Sequence, residues 1–164
     1  MATDANPPDL RADEERLAVI AARLADEVDA VVPGWIERLV VERVAQWRGE
    51  VPDDVLRGAA AAGEAAGAEV AVRMRALLAT DIDRQGAGPL QVLRAATHHA
   101  HAVLAQLGVP PVVRDEFAER SFPDDDYDLM PATWSDVDPA LHEPGIAWGA
   151  AKAFVHKARR RAGS

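Results

Sequence analysis

The 164-residue chain contains no cysteine. That excludes thiol catalysis, disulfides, and zinc or iron–sulfur sites built on thiolates. Serine occurs only at Ser121, Ser135 and Ser164, none of them inside a G-x-S-x-G elbow. Lysine is confined to Lys152 and Lys157 against sixteen arginines, and eight aromatics include a single tyrosine. No apolar run approaches membrane length, and the N-terminus has no charged-then-apolar signal pattern. Alternation of the strand type never lasts more than a few residues. Positive charge is also scarce, with 18 basic against 27 acidic residues and a net charge of −9. Phosphate affinity needs a basic footprint, so nucleic acid is not an expected partner. A cytoplasmic location is expected.

Alanine is abundant instead, at 34 residues, and it favours helix because it loses no side-chain entropy there. Leu17, Ile20, Leu24, Val28 and Val31 recur at spacings of 3 and 4, predicting a helix over 9–32 that ends at Pro33-Gly34. A second is predicted over 35–48, with Ile36, Leu39, Val40, Val44 and Trp47 inward and Gly49 as its stop. A third starts at Pro52-Asp53 and carries Val55, Ala59, Ala62, Ala66, Val70, Met74 and Leu77 along one side. Its middle is almost free of side chains, as in a helix that a neighbouring backbone approaches closely. Residues 80–88 read as a loop. Pro89 opens a fourth helix to Leu107, with Leu93, Ala96, Ala100, Leu104 and Leu107 inward. A shorter helix is expected over 112–122.

From Pro123 the prolines at 123, 131, 139 and 144 cut the chain into short turns, rich in aspartate. A last helix is expected over 146–161, with Ala147, Ala151, Phe154 and Ala158 inward. The fold class is therefore all-α: a bundle of four long helices plus a short helix, an acidic Pro-rich irregular segment and a C-terminal helix. Residues 1–8 read as a flexible tail and 9–161 as one domain. Within it, 9–108 form the bundle core and 109–161 pack upon it.

The string from Phe117 to Arg161, FAERSFPDDDYDLMPATWSDVDPALHEPGIAWGAAKAFVHKARRR, resembles the tail of an uncharacterised family of small helical actinobacterial proteins. The Gly108-Val109-Pro110-Pro111 motif extends that resemblance back along the chain, and it implies a helical fold. In helix order and Arg-rich amphipathic pattern, the first hundred residues are similar to the helical N-terminal regions of stress-sensor and PucR-type regulators.

Few residue sets carry chemistry. At 100° per residue, His98 and His101 fall on one side of the fourth helix beside Arg94, while His99 points away. Such a pair can share a metal ion, although no HExxH or ExxH supplies a carboxylate. His98 is also placed as a phosphoacceptor, since it resembles the active residue of histidine phosphotransfer domains. The Lys and Gly that follow that residue there are His101 and Ala102 in this chain.

Asp124, Asp126 and Asp128 have the spacing of the first calcium-loop ligands, but Leu129 and Ser135 stand where the loop needs Gly and Glu. Together with Asp125, Asp136 and Asp138 they are expected to cap turns and to face a protein partner. Asp81-Ile82-Asp83 resembles the nucleophile pair of haloacid-dehalogenase phosphatases, yet it follows a helix where that motif follows a strand. Gly86-Ala87-Gly88 lacks the rest of a phosphate-binding loop. His142, His156 and Trp148 are placed at a possible pocket near Asp138. Arg159, Arg160 and Arg161 read as a solvated helix end that complements the helix dipole.

No catalytic set is recognisable and no cofactor is named. The expected function is a non-catalytic regulatory or protein-interaction domain, with homo-oligomerisation open. The alternative is metal binding or phosphotransfer at His98 and His101.

Overall fold

The computed structural model describes residues 10–80, 88–113 and 122–163. The described residues form six α-helices and one short 3-10 turn, with no strand among them. The chain is all-α. Helix α1 spans Leu10–Arg48 and α2 spans Asp53–Thr80. They are followed by α3, Pro89–Ala96, and α4, His98–Gln106. After the irregular segment come α5, Trp134–Val137, a 3-10 turn at Pro139–Leu141, and α6, His142–Ala162. Helix α1 is the centre of the bundle, packing most extensively on α2 and then on α6 and α4. No described helix is long and apolar enough to cross a membrane. The short helix expected over 112–122, Asp81-Ile82-Asp83 and most of the loop at 80–88 lie outside the described residues or at their edges.

The first correction concerns Pro33, which lies inside the 39-residue α1 rather than ending it. Proline removes one intrahelical bond and costs about 3 kcal/mol in a helix interior. Against that stands one buried row that runs unbroken across the proline at every fourth position: Leu24, Val28, Val32, Ile36, Val40 and Val44. Each such side chain contributes about 1.5–3 kcal/mol when buried, so the row outweighs the proline. Helix α2 accommodates Pro33 as well. A Cβ on Gly63 would stand 2.4 Å from the Pro33 carbonyl oxygen, and one on Gly67 would stand 2.9 Å from the Pro33 ring. The side-chain-poor middle of α2 is thus the seat of Pro33. Arg75 on α2 adds ion pairs to Asp26 and Asp29 on α1, at 2.7 and 3.1 Å.

The predicted fourth helix is divided at Thr97. Its buried hydroxyl donates to the Arg94 carbonyl at 2.6 Å, and its own N–H turns to the same carbonyl. A side chain competing for a backbone acceptor tightens the turn and separates α3 from α4.

The third difference is the phase of α6. Its buried residues are Gly145, Trp148, Val155 and Ala158. Of the expected inner face only Ala158 is buried, while Ala147 and Phe154 are exposed. Trp148 decides the phase, since its ring buries more apolar area than any alanine, and its indole N–H donates to the Leu78 carbonyl at 3.4 Å. Trp47, also expected inside, is 38% exposed with Arg48 stacked over its ring.

The irregular segment is fastened to the bundle by arginines donating to its backbone. Arg38 reaches the Val137 carbonyl, Arg43 that of Tyr127, and Arg94 those of Pro131 and Ala132, at 2.8–3.4 Å. Trp134 lies across Gly145, where a Cβ would fall 2.4 Å from the ring.

Candidate metal centre

The three histidines around the Thr97 turn divide between two carboxylates. His98 Nε2 lies 3.2 Å and His99 Nε2 lies 2.9 Å from the same oxygen, Oε2 of Glu69 on α2. The two rings stand 3.9 Å apart, centroid to centroid. His101 turns the other way, with Nε2 3.2 Å from Asp125 Oδ1, within ion-pair reach but without hydrogen-bond alignment. Its ring also lies 5.3 Å from that of Tyr127. His98 and His101 are therefore not brought together, and His98 is joined by His99.

Helix-wheel spacing placed His98 with His101 on an unbroken helix. The tight turn at Thr97 and the long reach of an imidazole let adjacent His98 and His99 converge instead. Neither Glu69 nor His99 stood out in the sequence as a ligand. For Glu69 the sequence signal is its place after Gly67-Ala68, on the stretch of α2 where a neighbouring helix comes close, and for His99 it is the adjacent His98.

The ligand atoms of Glu69, His98 and His99 all lie within 4.8 Å of one another. His99 and Glu69 are half-buried, whereas the His98 side chain is 59% exposed. Burial raises the Glu69 carboxyl, but hydrogen bonds and charge from His99 and His98 outweigh that and hold it below its ordinary value. The carboxylate beside His98 Nε2 repels an incoming phosphoryl group, which disfavours that nitrogen as a phosphoacceptor.

Three of the six aspartates of the irregular segment, Asp125, Asp136 and Asp138, accept hydrogen bonds from its own backbone. Asp125 is buried and accepts the N–H groups of Leu129 and Met130 at 2.9 and 2.8 Å. Its burial removes it from any partner-facing surface. Asp136 accepts from Ala132 and Thr133, and Asp138 from Ala140 at the start of the 3-10 turn. Asp128 adopts a positive φ of 59°, a conformation that aspartate tolerates better than most residues. Asp124, Asp126 and Asp128 remain exposed.

Among the described residues, none of the three main clefts is lined by His142, His156 and Trp148 together. His142 borders a cleft of about 550 Å³ with Arg23, Glu27 and Glu143. Trp148 borders a different one, of about 410 Å³, with Arg94 and Trp134. His156 lies fourteen positions beyond His142 on the same helix, about 21 Å along its axis.

No protein family, curated protein or solved structure matches the chain.

Proposed function

We propose that the chain is a non-catalytic helical binding domain whose ligand is a divalent transition-metal ion held by Glu69, His98 and His99. The observation that carries this reading is the convergence of two imidazole nitrogens on one carboxylate oxygen, at 2.9 and 3.2 Å. Two ligand atoms that are each about 2.1 Å from an ion and subtend about 90–110° stand about 3.0–3.4 Å apart. The carboxylate–imidazole distances already fall close to that edge. The two nitrogens lie within 4.8 Å of each other, and the exposure of the His98 side chain leaves it room to adjust around an ion.

Two nitrogens and one oxygen suit zinc, nickel, cobalt or copper rather than the oxygen-seeking calcium and magnesium. Water or a further ligand atom completes the coordination on the exposed side. Regulation through metal availability, in a cytoplasmic setting, belongs to this proposal.

The test is calorimetric titration of chelator-treated protein with zinc chloride. One ion per chain is expected. Glu69→Ala, His98→Ala and His99→Ala each weaken binding at least about tenfold, since loss of even a group that only supports a ligand costs about that much. His101→Ala leaves it unchanged. Absence of stoichiometric binding, or an equal loss in His101→Ala, overturns the reading, with circular dichroism showing that each variant is folded.

A further inference from the structure

Helix α6 presents an apolar face outward. Between Ile146 and Phe154 every exposed position is apolar, and Ile146 and Phe154 are themselves 57% and 59% exposed. Lys152, the one charged residue in that stretch, folds over the Trp148 ring at 5.1 Å. At 100° per residue, Ile146, Ala147, Ala150, Ala153 and Phe154 fall within an arc of about 120° centred near Ala150. A helix normally turns a polar arc to water, whereas in this stretch the outward arc is apolar like the buried one of Gly145, Trp148 and Val155. Beside the patch, a groove of about 260 Å³ runs between α6 and α1, with Ile20 and Ala151 in it and the charged Asp13 and Arg16 of α1 at its border.

The pattern is also self-complementary. Ile146 and Phe154 stand four residues either side of Ala150, and Ala147 and Ala153 stand three. Beyond the apolar stretch, the exposed Glu143 and Lys157 stand seven residues either side, with opposite charges. An antiparallel second copy of the helix, related by a two-fold axis at Ala150, therefore sets Ile146 against Phe154. The same axis sets alanine against alanine and Glu143 against Lys157, each contact occurring twice. Small residues at the centre allow the close approach that helix pairs need, and a two-fold interface requires this kind of self-match.

We infer that the outward face of α6 is the interface of a homodimer in which two copies of α6 pack antiparallel about Ala150. Charge complementarity selects a second copy over an unrelated partner, because the ends of the face match each other.

The test uses the full chain with chelator present, so that its outcome is independent of metal binding. Light scattering on a sizing column is expected to give twice the chain mass of 17.6 kDa. Phe154→Glu is expected to give monomer with an unchanged far-ultraviolet spectrum. Glu143→Lys or Lys157→Glu alone weakens the dimer about tenfold, and the double exchange restores it. Because the chain has no native cysteine, Ala150→Cys gives a further reading of the axis. It forms an interchain disulfide under mild oxidation, whereas Val72→Cys, 79% exposed on α2, does not. A monomer at all concentrations overturns the inference. So does a dimer in which Ala150→Cys crosslinks no faster than Val72→Cys.

Discussion

Asp125 shows how differently neighbouring acids of one composition class behave. Its two oxygens hold the Leu129 and Met130 N–H groups in a buried turn beside His101. Leaving a buried donor unpaired costs about 1–3 kcal/mol. Asp125→Ala is therefore expected to destabilise the protein by about 2–4 kcal/mol in urea unfolding, while exposed Asp124→Ala stays within about 0.5 kcal/mol. Glu69 gives the pH dependence. Its carboxyl is held below its ordinary value near 4.5, so its pairing with His98 and His99 stabilises the fold above that value. The contribution fades as pH falls through the lower folded-state value. Glu69→Gln is accordingly expected to flatten the acid limb of the metal-free stability–pH curve below about pH 5, while a limb of unchanged slope would show that the pairing contributes nothing. The histidine triplet was legible in the sequence, but its partners were not. Glu69 lies 29 residues from His98 in sequence and Asp125 lies on another segment, so tertiary packing alone decides which ring meets which acid.

At the scale of elements, helical periodicity made the all-α class and the inner face of α2 readable, since six of its seven predicted core residues are buried. Punctuation misled at Pro33 because the cost of a proline is local, whereas the buried stripe that overrides it runs through the whole helix. The phase of α6 misled because alanine is compatible with both faces, and the anchoring role of Trp148 depends on the helices around it. Close approach at Pro33 leads to a paired prediction. In Gly63→Ala the new methyl meets a backbone carbonyl at 2.4 Å, which can give way only if α1 and α2 separate. Overpacking of this kind costs about 1–3 kcal/mol and offsets the gain of about 1 kcal/mol in helix propensity. Gly58→Ala, on the same helix with open space at its Cβ, keeps the gain. Thermal unfolding is expected to move the two variants in opposite directions, and a rise in both would show that the crossing is looser than these distances.

For the molecule as a whole, the proposed metal site joins elements already packed together. Glu69 sits on α2, which packs along α1, while His98 and His99 open α4, which touches both helices. An ion held across α2 and α4 binds the folded bundle and not the unfolded chain, so its binding energy adds to folding stability. At a free zinc concentration of about 100 times Kd the added stability is about 2.7 kcal/mol. For a chain of this size that raises Tm by about 5–10 °C. The rise should come as one cooperative transition, because α1 is common to the α2 and α6 contacts and one cluster of buried residues runs through all these elements. Glu69→Ala should lose the rise. Phe154→Glu should keep it, since the outward face of α6 takes no part in coordination. A zinc-dependent shift of the same size in Glu69→Ala would place the ion elsewhere, and its loss in Phe154→Glu would show that the site forms only in the dimer.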